Sequence, residues 1–500
     1  MNGDGTATTW FDTSAPHLGP ASDPDAPALT GRDVAALAGA GLVGSITLPG
    51  NRPGLGLAVT WTAIAISVLA VRRAPTLAGG WRRAMVVTAV LAAGLPAYSD
   101  AGWVVLPALL VGVAAAVLAF AGGGSWLGLV RPALRSLPLA LRSIAAVAAP
   151  LRDLVPADAR RHPGVRATLL TVLVVGVFGA LFASADRIFG NLVQRFLVPE
   201  IDLDLLPARL LVASVLTVGA ATLVRLRARG RDDRPLPLPT RRLDGIEWRV
   251  PLWSLLGLFA AFVTLQFGVL FGGHERVLQT AGLTYAEYAR GGFGQLLVVA
   301  ALTLAVVAGT RRYAIAPSPQ DQRLQRRLLA GLCLLTLIVL VSAWYRLSIY
   351  QDAYGFTRLR FAAQFAIAWL AVVFVVLLVA GARRRTGQLP RLIALVSAVA
   401  VVGVAFVQPD AHIARWNVAR FAAEGRIDVD YLANLSADAV PALLALPADV
   451  RGCVLRPLAT ARAGDQTPTW AEWNWSRTRA GHLLDVHGPL PTCAGADRWG

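Results

Sequence analysis

The sequence predicts an all-α fold, a polytopic transmembrane bundle of about 11 spans with a small extracytoplasmic α-helical C-terminal domain. Three observations predict it. First, 55% of the 500 residues are apolar and only 15% charged, and the mean hydropathy is +0.56, too apolar for a chain of this length in water. Second, the apolar residues fall into eleven runs. Third, the arginines fall between those runs on alternate sides. All 47 basic residues are Arg, read as the codon bias of a GC-rich genome. The net charge of +17 follows a membrane-sorting rule, so no nucleic-acid partner is expected.

Residues 1–33 read as a disordered cytoplasmic tail, since Asp4, Asp12, Asp23 and Asp25 stand among Pro, Gly and Thr without the basic start and apolar centre of a secretory signal. The transmembrane domain is expected over 34–407. Its runs lie near 34–49, 54–71, 84–98, 102–121, 166–184, 206–225, 251–272, 293–310, 328–345, 361–381 and 389–407. Most approach the roughly 20 residues that cross about 30 Å of hydrocarbon. The first and third are short and broken by Gly or Pro.

Charge places the third run across the membrane. Arg72, Arg73, Arg82 and Arg83 flank one loop, and the next long loop carries seven arginines from Arg131 to Arg166. They share a side only if 84–98 crosses. Continuing the alternation adds Arg227 to Arg249, Arg311 to Arg327 and Arg383 to Arg391, about 27 arginines against about 8 on the opposite side. The rich side is therefore predicted to be cytoplasmic.

An odd number of crossings then puts residues 408–500 outside the cell, as a helical domain. Cys453 and Cys493 lie in it, and in an oxidising compartment they either bond or remain two thiols; a bond would close a loop of 40 residues and add about 4 kcal/mol. A helix is predicted over 410–424, ended by Gly425. Asn434 and Ser436 offer a cap for 437–446. Thr469 with Glu472 has capping-box spacing for a segment to about Leu484. Its Trp470, Trp473 and Trp475 form the small domain's core, rest at lipid headgroups or, more weakly, make a carbohydrate platform.

Arg131, Arg135 and Arg142 fall within about 40° of one another on a helix, with Leu134, Leu137, Leu139, Leu141 and Ile144 spread over other faces. The segment 131–152 thus reads as a helix lying on the cytoplasmic leaflet against anionic lipids, interrupted by Pro132, Pro138 and Pro150. Residues 230–242, with Pro235, Pro237 and Pro239, read as an extended connector.

Unlike polar residues collect where the predicted helices end outside: Asp186 and Arg187; His274 and Glu275; Tyr285, Glu287, Tyr288 and Arg290; Tyr354, Arg358 and Arg360; Asp410 and His412. Such a set at one depth would bind a headgroup, a sugar or an ion, or move protons. The plainer reading is structural, because Tyr and Arg concentrate at membrane interfaces and Thr284 with Glu287 fits a capping box. His274, His412 and Asp410 have zinc-compatible chemistry but no recognised spacing, so no metal and no cofactor is expected. The chain has no phosphate-binding loop, zincin helix, nucleophile elbow or dinucleotide fingerprint.

The stretches FGALFASADRIFGNLV (178–193), LTYAEYARGGFGQLLVVAALTLAVV (283–307), YGFTRLRF (354–361) and DAHIARWNVAR with GRIDVDYLANLSADAVPALL (410–444) resemble those of bacterial multi-pass membrane proteins grouped as domain of unknown function 4153/4173. The resemblance runs over roughly residues 40–485. It implies many helices and an extracytoplasmic end, and it brings no catalytic residues.

The leading functional expectation is a non-enzymatic cytoplasmic-membrane protein, a transporter, receptor or scaffold, that binds an envelope lipid, glycan or small solute at its outer face. The alternative is a lipid-linked glycosyl or acyl transferase, with a carboxylate as general base. Against the latter, the first outer loop near Asn51 and Arg52 has no acid of its own.

Overall fold

A computed structural model describes residues 29–71, 79–153, 205–229, 243–271, 293–384, 386–463, 468–491 and 493. Among them the fold is helical, with one isolated bridge between Leu243 and Ala314 and no strand. The N-terminal helices are α1 (Gly31–Thr47), α2 (Leu55–Ala70), α3 (Gly80–Tyr98), α4 (Gly102–Ala121), α5 (Trp126–Asp153) and α6 (Leu206–Arg229). Then come α7 (Gly245–Phe271), α8 (Phe293–Tyr313), α9 (Pro319–Tyr354), α10 (Arg358–Ala382) and α11 (Leu389–Phe406). The C-terminal helices are α12 (Pro409–Glu424), α13 (Val429–Ala433), α14 (Val440–Leu443), α15 (Ala448–Ala463) and α16 (Trp475–His487).

Ten of the eleven apolar runs lie on these helices; the run at 166–184 and the connector at 230–242 fall outside the described residues. Among the described residues seven helices, α4 and α6 to α11, are long and apolar enough to cross a membrane. That makes the chain an integral membrane protein. Their outward apolar faces agree: Leu110, Leu265 and Val341 are 63%, 69% and 70% exposed, surface that lipid accepts and water does not. The predicted span number is larger than seven. Helix α2 is apolar but has 16 residues, α1 has 17, and α3 has 19 with Arg82 and Arg83 in its first turn.

The helices form two packed groups joined by α10 against α11. In one, α7 to α10 share a core around Trp248, Leu332, Leu340, Leu347 and Phe374. In the other, α1, α2 and α6 pack together, as do α3, α4 and α11. Small residues set the closest approaches. A Cβ on Gly112 of α4 would lie 2.6 Å from the Ala92 Cβ of α3, and one on Gly41 of α1 would lie 2.5 Å from the Ala213 carbonyl oxygen of α6. Only glycine lets these backbones meet, the usual way apolar helices gain dispersion contacts without a hydrophobic driving force.

The prolines of α5 do not interrupt it, contrary to the expectation for 131–152. Pro138 is exposed and Pro132 is buried on the side of Leu139 and Ser143, and the helix runs through both. The apolar residues do occupy more than one face, as expected, since Leu139 is buried on the side opposite the exposed ones. Val130, Leu134, Leu137, Leu141 and Ile144 form one exposed stripe, within about 80° on a helical wheel. Arg131, Arg135 and Arg142 lie beside it.

Helix α9 has 36 residues, a length of roughly 54 Å. That is longer than the roughly 30 Å of a hydrocarbon layer. It opens with a Ser318/Asp321 capping box and carries Arg323, Arg326 and Arg327 in its first turns, with Tyr345, Tyr350 and Tyr354 in its last. The other arginine-rich turns gather beside its start. Arg249 of α7 pairs with Asp321, and Trp81 Nε1 donates to the Arg391 carbonyl (2.8 Å) while Arg391 Nε donates to the Gly123 carbonyl (3.2 Å). The C-terminal helices sit at the far end.

Their core is aliphatic: Ile413, Leu432, Leu443, Val450, Val454 and Leu455 are fully or nearly buried. Gly425 ends α12 in the left-handed region at φ 72°, as expected. Two other local expectations change. Residues 437–446 give a 3-10 turn and the single-turn α14, and the segment from Thr469 breaks after a 3-10 turn, so that Asn474 caps α16 by accepting from Arg477 N (2.9 Å). The indoles of Trp470, Trp473 and Trp475 are not the core; they are 59%, 43% and 48% exposed. Pro491 crosses α15 at Gly452, where a Cβ would meet its carbonyl oxygen at 2.4 Å. That crossing brings Cys493 to Cys453, which are bonded, Cα to Cα 4.7 Å.

Candidate functional site

Three turns converge at the far end: 99–101 between α3 and α4, 355–357 between α9 and α10, and the start of α12. Pro409 at the first position of α12 removes a donor that would have had no helical partner, and places Asp410 in the first turn, where a carboxylate also suits the helix dipole. Asp410 is completely buried. Its Oδ1 accepts from Arg358 Nε (2.9 Å) and Trp103 Nε1 (2.9 Å), and its Oδ2 from Arg358 Nη2 (2.5 Å) and Ser436 N (2.9 Å). Four donors fill the four lone-pair positions of the carboxylate. Burial alone would raise the Asp410 pKa, but the Arg358 hydrogen bond, the Ser436 amide, the Arg358 charge and the Trp103 indole together hold it below the usual carboxylate value.

A second carboxylate lies beside it. Asp438, 3% exposed, accepts from Ser99 Oγ (2.6 Å) and Asp100 N (2.9 Å). Asp100 in turn accepts from Ala437 N (3.3 Å) and pairs with Arg477 (2.7 Å). Arg477 also donates to the Pro53 and Glu472 carbonyls, and buried Asn474 donates to those of Pro96 and Ser99. Burial raises the Asp438 pKa above the usual value, against its hydrogen bonds from Asp100, Ser476 and Ser99, and the nearby Asp100 charge raises it further. The two buried acids are thus pushed in opposite directions.

Around this centre the α9 to α10 turn is pinned from several sides. Asn417 bonds both the amide and the carbonyl of Phe356 (3.1 and 2.8 Å), and Arg420 donates to the Ala353 carbonyl (3.0 Å). Arg358 N donates to the Tyr431 hydroxyl (2.6 Å). Arg360 stacks over Tyr350 and Tyr354, 4.3 and 5.9 Å from the ring centroids, and donates to the Gly355 carbonyl. His412 meets Phe356 and Phe361 edge-on. Burial and then the Arg415 charge lower its pKa, favouring neutral imidazole.

The structure thus brings together Tyr354, Arg358, Arg360, Asp410 and His412, five of the sequence-selected residues. Asp186, Arg187, His274, Glu275, Tyr285, Glu287, Tyr288 and Arg290 lie outside the described residues. Among the described residues no cluster of three His, Cys, Asp or Glu could hold a metal ion. Sequence reasoning missed Trp103, Asp100, Asp438, Asn474 and Arg477. Asp438 lies within the quoted stretch GRIDVDYLANLSADAVPALL, and Asp100 between two apolar runs, where an acid has to find a partner; those were the available signals. Chemically, Asp410 has no lone pair left for a proton or a ligand, so it is an anchor. Arg360 with Tyr350 and Tyr354 forms a cation–ring cluster at the edge of the site, exposed at Tyr354.

Residues 85–446 match the profile of a family described as a domain of unknown function, DUF4153. No curated protein and no solved structure matches the chain.

Proposed function

Because the chain belongs to the DUF4153 family, a domain of unknown function matched over residues 85–446, and is an integral membrane protein, we propose that it is a multi-pass protein of a bacterial cytoplasmic membrane. Its C-terminal helices face the outside, and it binds an envelope lipid, glycan or small solute there as a receptor or scaffold. One observation carries this reading: the saturated Asp410–Arg358 pair ties the C-terminal helices to the far ends of α4 and α10. A buried ion pair with every position satisfied serves specificity of arrangement more than stability. It would hold a binding surface in place above the bilayer, with Tyr350, Tyr354 and Arg360 at its edge. The exposed Trp470, Trp473 and Trp475, next to the α2 start through the Leu55 N to Trp473 O bond (2.9 Å), suit the headgroup level. At the opposite end, α5 lies on the cytoplasmic leaflet with its leucine stripe in the acyl boundary, and each Arg contributes about 1 kcal/mol with anionic lipid.

A specific contact favours the second reading, a lipid-linked glycosyl or acyl transferase. Glu472 accepts from Arg52 N (3.3 Å), and Thr469 Oγ1 bonds Asn51 Oδ1 (2.6 Å). The first outer loop thus acquires from the C-terminal segment the carboxylate that its own sequence lacks.

Two measurements test the proposal. Alkaline phosphatase fused after Gly500 is expected to be active, and green fluorescent protein at the same position dark; the reverse pair overturns the orientation. A deletion strain, analysed for envelope lipids and glycans, should show a change that Tyr354→Ala/Arg360→Ala and Asp186→Asn/Glu287→Gln fail to restore. Full complementation by both variants would refute the outer-face site, whereas loss with Glu472→Gln alone would favour the transferase.

A further inference from the structure

At the arginine-rich end, away from the site above, a cavity of about 650 Å3 opens between the ends of α8, α9, α10 and α11. Five guanidinium groups rim it, those of Arg311, Arg323, Arg326, Arg327 and Arg384. Among the described residues no carboxylate lines it, and the neighbouring Asp321 is taken by Arg249 and by its own cap on Ser318. Like charges converging without acids raise a strongly positive local potential that calls for an anion, and guanidinium forks match phosphate oxygens in geometry.

The rest of the wall is apolar. Below the rim, Val307, Ala330, Cys333, Leu334 and Leu377 continue the cavity. Between Arg323 and Leu334, α9 rises roughly 16 Å, about half of the ~30 Å hydrocarbon layer and so about one leaflet deep. Leu334 and Val379 are 53% and 43% exposed, so the cavity opens sideways onto the surface that lipid covers. Water-soluble anions have no use for such a wall. An amphiphile fits both parts.

Backbone conformation adds a third observation. Arg384 follows the end of α10 at φ 54°, the left-handed position that helices usually fill with glycine, because a side chain there crowds the following carbonyl oxygen. At this strained position the chain carries another rim guanidinium. Local stability has been given up where the cavity gains charge.

The geometry points to a binding site for a phosphate-headed lipid, with the phosphate among Arg311, Arg323, Arg327 and Arg384 and one hydrocarbon chain along Ala330, Leu334 and Leu377. This site is separate from the outer face, and its test is independent of that reading.

The full chain in phosphatidylcholine nanodiscs is titrated with fluorescent phosphatidic acid and, separately, with fluorescent phosphatidylcholine. Phosphatidic acid is expected to bind at least tenfold tighter. Arg323→Gln/Arg327→Gln should lose at least tenfold, and Leu334→Trp, which fills the wall, should lose a similar factor with the rim intact. Arg384→Gly is decisive where other variants fold poorly, because it relieves the left-handed strain: it should unfold at higher temperature yet bind phosphatidic acid several-fold more weakly. Equal binding of the two lipids, or unchanged affinity in Arg384→Gly, overturns the proposal. Displacement of the probe by millimolar inorganic phosphate, with Leu334→Trp without effect, overturns the lipid assignment in favour of an anion site.

Discussion

Asp410→Asn is expected to destabilise the packing of the C-terminal helices by about 3–5 kcal/mol, the range for breaking a buried ion pair on one side. The substitution keeps the shape and removes the charge, which isolates the chemistry. Both oxygens of Asp410 accept two donors each, so either orientation of the new amide points an N–H group at N–H groups, and the Arg358 guanidinium loses its counter-charge. Urea unfolding followed by Trp fluorescence, with protease cleavage between α11 and α12 as a local readout, measures the loss. A change under about 1 kcal/mol would mean that the pair does not hold the layer in place. Asp438→Asn is the control, since its amide still accepts from Asp100 N while donating to Ser99 Oγ.

The two acids also set opposite pH dependences. The Asp410 pKa is lowered from 3.8 in the folded chain, so its stabilisation is present above pH 3.8 and is lost as pH falls through the lower folded value. The Asp438 pKa is raised from 3.8, so its contribution is present below pH 3.8 and is lost as pH climbs through the raised folded value. Asp438→Asn should therefore gain stability relative to the unmodified chain as pH rises above 3.8, whereas Asp410→Asn should flatten the acid limb.

Cys453→Ser is the second large effect, about 4 kcal/mol, because the bond closes a 40-residue separation and limits the unfolded chain accordingly. The native state offers little resistance to its formation: Pro491 already lies across Gly452, and Arg456 donates to the Pro491 carbonyl (3.2 Å). Reduction of the unmodified protein should lower the unfolding midpoint to that of Cys453→Ser, with no further shift when the variant itself is reduced. If the midpoint of the unmodified chain ignores reductant, the bond contributes nothing.

Much of this architecture was readable along the chain because lipid and helix geometry act locally. A run such as 361–381 satisfies its own backbone hydrogen bonds and needs only its own apolar side chains to be helical in lipid, so the sequence alone determined that α10 exists and nearly where it ends. The same holds for the gathering of arginines at one end and for Gly425 as the stop of α12. Cost is local there, and so is the signal.

The pairing of distant polar groups was decided only by tertiary structure. Nothing near Asp410 in the chain announces that Trp103, 307 residues away, will complete its hydrogen bonds, or that Asp438 will accept from the Asp100 amide and Asp100 from that of Ala437. A lone carboxylate reads as a ligand until its donors are counted. The exposed tryptophans of 470–475 and the exposed stripe of α5 opposite buried Leu139 have the same origin. Which face of a helix is covered depends on neighbours from elsewhere in the chain, and burial is a property of the assembled surface, whereas hydropathy belongs to the residue itself.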